Sequence, residues 1–246
     1  MQDNQPIQKI PPSLSIIMPV YNEQDVIGKV VEDFCKVLEK FSKPEFVIVD
    51  DCSSDNTPEI LKSLEGKYPY LRIITNEANS GHGPSLVRAY KESAGKYIFH
   101  CDSDNQFYAE DFWLLWNKMR ESGDDAVIGK RHNRQDARHR LFITKMLRVL
   151  LAVLLGADIK DANSPFKLHK RVALNKIIGL VPENAFVPSI LMAMVANKLK
   201  MKTGYVNVRH LPRLTGSTFI KSWKIFKICL KSTREILAFK KGLKNI

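Results

Sequence analysis

The 246-residue chain has only four cysteines, at positions 35, 52, 101 and 229, and no C-x-x-C pair. Such spacing excludes a disulfide framework and a thiolate metal site, and predicts reduced, mostly buried thiols in a cytosolic protein. Long apolar runs are also missing. The longest, Leu141 to Leu155, is fifteen residues broken by Lys145 and Arg148, short of the roughly 20 apolar residues that span a bilayer. Met1 to Pro12 has no apolar signal core, so no export is expected and residues 1–12 read as a flexible N-terminus. There is no G-x-G-x-x-G, so a nicotinamide cofactor is not inferred.

Acids are the scarcer charge, 26 Asp and Glu against 38 Lys and Arg, and the net charge of +12 is unevenly spread. From Arg213 onward there are nine basic residues and one acid, Glu235; Lys130 to Arg148 holds seven against Asp136. Two basic segments in the second half imply an anionic partner, either phosphate groups, an anionic membrane surface or nucleic acid. The basic residues are not interleaved with a stacking platform, and no RNA- or DNA-binding signature is present, so no nucleic-acid partner is expected.

The first half alternates strand and helix signals. Leu14–Val20, Phe46–Val49, Leu71–Thr75, Tyr97–Cys101 and Ala126–Gly129 read as strands. Helices are predicted over Asp25–Phe41, from about Thr57, over Pro84–Ser93 and near Glu110–Glu121. Alternation of this kind predicts an α/β domain with a mainly parallel sheet flanked by helices. Later, Phe166–His169 and Gly204–Val208 read as strands, and Leu141–Leu155, Val172–Ile178 and Val187–Leu199 as helices. The main domain is placed at 13–217 and a basic amphipathic helix at 218–246. In projection that helix carries Phe219, Trp223, Phe226, Leu230 and Leu237 on one face and Lys221, Lys224, Lys227 and Lys231 on the other. Such a face suits a membrane interface or a docked helix.

Chemistry concentrates where strands end. Pro19-Val20-Tyr21-Asn22-Glu23 closes the first, and Asp50-Asp51-Cys52-Ser53-Ser54-Asp55-Asn56-Thr57 the second. Asn79-Ser80-Gly81-His82-Gly83 opens a helix, and Asp102-Ser103-Asp104-Asn105-Gln106 follows the fourth strand. All four loops fall at carboxyl ends of parallel strands, where such sheets offer their ligand crevice. Two carboxylates one residue apart can converge on a hard divalent cation. Asp104 could instead cap the next helix, and Gln106 could be a solvated turn residue. His82, His169 and His210 do not make a recognisable metal site.

In this order and spacing the motifs resemble the family 2 glycosyltransferases of the GT-A (Rossmann-like) fold, over about Leu14 to Trp223. Gln106, Gly129-Lys130-Arg131, the Asp161–Leu168 run and His210–Phe219 resemble the dolichyl- and polyprenyl-phosphate sugar transferase branch. Pro165 stands where that branch usually has glycine, and Ser217-Thr218 where a Ser-Lys pair is frequent. The resemblance implies an inverting, metal-dependent hexosyltransferase that uses a UDP- or GDP-sugar and a polyprenyl phosphate at the cytoplasmic membrane face. The alternative acceptor is a sugar hydroxyl in a surface polysaccharide or glycolipid. It further implies Mg²⁺ or Mn²⁺ held by Asp102, Asp104 and Gln106, with Asp102 alternatively serving the ribose. Pro19, Tyr21, Glu23, Asp102 and either Asp50 or Asp51 would bind the nucleotide. Arg131, Ser164 and Arg213 would meet phosphate, while Asp104, Arg131 and Asp161 would be catalytic. Asp161 reads as a base or as an acid that orients an arginine; a phosphate acceptor needs no strong base, whereas a hydroxyl does.

Overall fold

The structure, a computed structural model, describes residues 9–131, 161–211 and 222–243, with side chains in the last stretch from residue 227 onward. Seven strands form one sheet: β1 (Ile10–Val20), β2 (Phe41–Asp50), β3 (Leu71–Thr75), β4 (Tyr97–His100), β5 (Ala126–Arg131), β6 (Lys167–Lys170) and β7 (Thr203–Val208). Their order is β3-β2-β1-β4-β6-β5-β7. β6 runs antiparallel to both neighbours, and the remaining pairs are parallel. The expected mainly parallel α/β sheet is therefore borne out.

The central strands are buried on both faces, which is why they read as unbroken apolar runs. Within β1, Ile16 and Met18 point into one core with Phe34, Phe99 and Phe112. Ile17 points into the other, with Val47, Val49, Leu86 and Tyr90. Helices α1 (Ile27–Leu38), α2 (Thr57–Lys67) and α4 (Phe112–Ser122) cover the first face. The second is covered by α3 (His82–Glu92), α5 (Arg171–Ile178), α6 (Pro188–Lys198) and α7 (Ser222–Leu243). Pro58 sits in the first turn of α2, where its missing N–H is harmless. Gly123, at φ +67°, ends α4 in the left-handed conformation that glycine adopts without strain.

Three boundaries differ from the sequence reading. β1 already begins at Ile10, inside the segment read as flexible. Phe41 lies not at the end of α1 but at the start of β2, where its ring meets Phe112, Trp113 and Trp116. The helix stops at Leu38 because the chain must turn to begin the parallel strand. The C-terminal helix docks on α6, but not through the projected face: Ser232, Ile236 and Leu243 are buried, while Leu230 and Leu237 stay exposed. The Leu141–Leu155 helix and the basic residues between 132 and 160 lie outside the described residues.

Candidate active site

The loops after β1, β2 and β4 meet at one edge of the sheet, and the register explains how. Val20 pairs with Asp50, Asp50 with Thr75, and Ile17 with His100, so the strand ends come level. The β1 and β2 loops are stitched together. Asn22 N–H donates to Ser53 Oγ (2.9 Å), Glu23 N–H to Thr57 Oγ1 (2.9 Å), Gln24 N–H to Asp55 Oδ2 (3.2 Å), and Ser54 N–H to Asn22 Oδ1 (2.8 Å). Most polar residues of the D-D-x-S-x-D-x-T run thus form a frame that positions Tyr21 and Glu23. Asn22, Cys52, Asn105 and Asp161 all hold positive φ. For Cys52 that conformation costs about 1–2 kcal/mol, a strain typical of positions over-determined by a binding site.

Two neighbouring cavities open here. The first, about 340 Å³, is lined by Pro19, Tyr21, Glu23, Asp51, Asp102 and Asp104 among others. Five residues expected to bind nucleotide are thereby brought together, along with Asp104. Asp50 is not among them: it is buried and accepts the Ser53 N–H and hydroxyl at 3.3 and 2.5 Å, as a turn residue does. Asp51 accepts from Asn76 Nδ2 (2.7 Å), Ser80 N–H (2.9 Å) and Oγ (2.8 Å), and Gly81 N–H (2.7 Å). Burial pushes its carboxyl up, but these donors outweigh burial and hold it below the usual carboxylate range. Asp51 is therefore an ionised wall that also shapes the Asn79–Gly83 loop.

Asp102 and Asp104 share the cavity, and their oxygens suit a hard divalent cation. Gln106 does not line it; its Nε2 donates to Leu211 O at 3.0 Å, and its N–H to Asp104 Oδ1 at 3.2 Å. The amide ties the β4 loop to the segment that follows β7, a long-range contact that spacing could not reveal. Burial raises the Asp102 carboxyl, yet His82, His100 and Arg131 outweigh it and keep the group ionised below its ordinary range. His100 is buried at 1% exposure, and burial lowers its basicity so that it stays neutral. Sequence reasoning passed over His100 because it ends an apolar strand.

The second cavity, about 660 Å³, adjoins the first through Asn79, Gly81, His82 and Asp102. Its other walls include Arg131, Phe186 and, from α7, Ile228 and Lys231. Arg131 is held by Asp161: Nε donates to Oδ2 at 3.0 Å and NH2 to Oδ1 at 2.6 Å, with both side chains mostly buried. Ser164 is fully buried and donates its hydroxyl to Gly129 O at 2.6 Å. It fastens the Asp161–Lys167 turn to β5, and the cavity wall beside it is made by Asn163 and Pro165. Arg213 lies outside the described residues.

The wall from α7 was invisible to local patterns. Glu235 accepts the N–H groups of Phe186 (2.8 Å) and Val187 (2.9 Å), capping the start of α6 and fixing the 182–188 loop. Lys231 Nζ stands 4.2 Å from the centre of the Phe186 ring. At the other side of that loop Gly83 is indispensable, since a Cβ there would lie 2.1 Å from Ala185 O.

Comparison with known proteins agrees with this arrangement. The chain is 25% identical over 242 residues to undecaprenyl-phosphate 4-deoxy-4-formamido-L-arabinose transferase of Yersinia enterocolitica, covering 95% of this chain and 71% of that protein. The protein of the same name from Yersinia pestis is 27% identical over 223 residues, covering 89% and 64%. Among solved structures, glucosyl-3-phosphoglycerate synthase from Mycobacterium tuberculosis, in complex with Mn²⁺ and UDP-glucose, superposes with a TM-score of 0.68 at 18% identity, covering 94% of this chain and 79% of that one. Mannosyl-3-phosphoglycerate synthase from Rubrobacter xylanophilus gives 0.69 at 14% identity, covering 96% and 76%. These two share the fold. Residues 15–187 match the profile of glycosyl transferase family 2, and the chain belongs to that family.

Proposed function

We propose that this chain transfers a sugar from a UDP- or GDP-sugar to a polyprenyl phosphate, as a peripheral protein at the cytoplasmic membrane face. The observation that carries the choice of acceptor is the Arg131–Asp161 pair at the second cavity. Both Asp161 oxygens are taken by Arg131, so this carboxylate orients an arginine and is not poised as a base. A guanidinium fixed in this way suits a phosphate, which is already anionic near pH 7 and needs no proton removed. Two relatives named as undecaprenyl-phosphate transferases support the same acceptor class. The four cysteines are all free, which suits a reducing compartment. Among the described residues no helix is long and apolar enough to cross a membrane.

In this reading Pro19, Tyr21, Glu23 and Asp51 hold the nucleoside in the first cavity. Asp102 and Asp104 would hold Mg²⁺ or Mn²⁺, whose charge would offset that of the departing diphosphate. An acceptor phosphate oxygen, guided by Arg131, attacks the anomeric carbon, and the bond to the diphosphate oxygen breaks with its electron pair leaving on the nucleotide. Incubation with radiolabelled UDP- or GDP-sugars, Mn²⁺ and polyprenyl phosphate should move label into the organic phase. Label that reaches only water or a hydroxyl-bearing glycan would overturn the acceptor. Asp161→Asn should chiefly raise the acceptor KM. A fall in kcat of about a thousandfold with that KM unchanged would restore Asp161 as a base.

A further inference from the structure

We propose that His82, His100 and Asp102 form a second cation site, one that takes a borderline divalent ion such as Zn²⁺. It shares Asp102 with the all-oxygen Asp102–Asp104 set and takes its other two ligands from histidines. One ligand atom from each of the three residues lies within 4.8 Å of the others. His100 Nε2 is 3.4 Å from Asp102 Oδ1, and His82 Nε2 is 3.9 Å from the same oxygen. Ligands about 2.0–2.1 Å from a tetrahedral ion lie about 3.4 Å apart. The first distance fits without movement; His82, an exposed side chain, closes about half an ångström on Asp102 and, at the 4.8 Å limit, about 1.4 Å on His100.

A second observation points the same way. Both His100 ring nitrogens and Asp102 Oδ1 are buried and none makes a well-formed hydrogen bond, the nearest approach being Nε2 to Oδ1 at 3.4 Å. Buried polar atoms nearly always have a partner. Here two of them face each other across the space an ion would fill. His100 is fixed in place, since β4 sets its backbone and Tyr90 packs edge-on against its ring at 5.8 Å.

The donor set decides the kind of ion. Two neutral imidazoles and one carboxylate suit zinc, whereas Mg²⁺ prefers an all-oxygen shell. Three protein ligands leave a fourth position open, as in zinc sites that exchange water for ligand. His82 and Asp102 line both cavities, so that position is reachable from solvent. The site stands on these distances and does not depend on which acceptor the enzyme uses.

The test uses the whole, tag-free chain without nucleotide. Zn²⁺ affinity is read by competition with a chromogenic chelator, and geometry by the visible absorption of Co²⁺ bound in its place. Stoichiometric Zn²⁺ binding and the intense absorption of four-coordinate Co²⁺ are expected. His82→Ala, an exposed change that spares the core, should weaken zinc at least about 100-fold. His100→Leu should do the same, and Asp104→Asn should leave the affinity unchanged. No Zn²⁺ binding would overturn the site. So would binding indifferent to both histidine variants, or lost equally in Asp104→Asn, which would move the ion to the acid pair.

Discussion

Lys167 sits uncomfortably in the fold. It is buried, and its Nζ donates to Ala162 O at 2.7 Å, in the turn that presents Asp161. Burial drags its basicity down to about 8, against the opposing pull of Asp161 and Asp102 and with some help from Arg131. The sign follows from proton counting. Below about pH 8 folded and unfolded chains both hold the proton, and the fold bears a buried charge. Between about 8 and 10.5 the folded state has released it while the unfolded chain has not, so stability rises with pH across that window. The rise attributable to this one group is about 3 kcal/mol. Urea unfolding of the wild type and of Lys167→Met at pH 7 and pH 10 isolates it: the variant should lack this increment. An identical pH dependence would mean that the lysine keeps its proton in the fold. The residue scale also shows how far motifs could be read. Asp102 and Asp104 stood out because two carboxylates one residue apart follow a buried strand, whereas spacing left Asp50 and Asp51 undecided. Asp50, Gln106 and Ser164 match the same motifs yet bond to the frame, Asp50 to nearby Ser53 and the other two to partners distant in sequence.

Among the elements, β1 to β4 and their helices were legible because strands buried on both faces leave apolar runs that helices of 3.6 periodicity interrupt. The reversed direction of β6 was not, since direction depends on the partner strand and not on local pattern. The docked face of α7 was misread for a related reason: the helix carries apolar residues on two sides. Ile236 and Leu243 meet the second core, and Leu230 and Leu237 do not. That docking gives α7 a task beyond covering apolar surface. Glu235 holds the 182–188 loop, which walls the larger cavity and not the smaller one. Glu235→Ala should leave two N–H groups at the start of α6 without their acceptor, costing about 2 kcal/mol. It should also raise the acceptor KM severalfold while donor affinity holds. Glu235→Gln, which keeps one acceptor oxygen, should recover part of both. Equal loss of donor and acceptor affinity would show that the clasp supports the whole edge of the sheet and not the larger cavity alone.

For the molecule as a whole, the net charge of +12 and a nine-to-one basic excess after residue 212 call for an anionic surface. The structure adds a place to put it. Leu230 and Leu237 are 40% and 41% exposed on α7, and Lys227, Lys231, Arg234 and Lys241 are exposed beside them. A helix that packs one side on the domain and presents leucines among lysines on the other can lie on a lipid surface without leaving its dock. Removing the helix would not test this, because it would also strip Ile236 and Leu243 from the core and open the larger cavity. Leu230→Ser combined with Leu237→Ser touches only the exposed side. Losing the burial of two leucines in the interface should lower partitioning onto anionic vesicles about tenfold or more. The unfolding temperature should not move. Raising salt from about 0.1 to 1 M, which shortens the screening length from about 10 to 3 Å, should weaken what binding remains. Sedimentation with vesicles containing anionic lipid measures both effects. If the double variant partitions as the wild type does, the membrane contact lies elsewhere on the chain, and the exposed leucines are surface residues without that role.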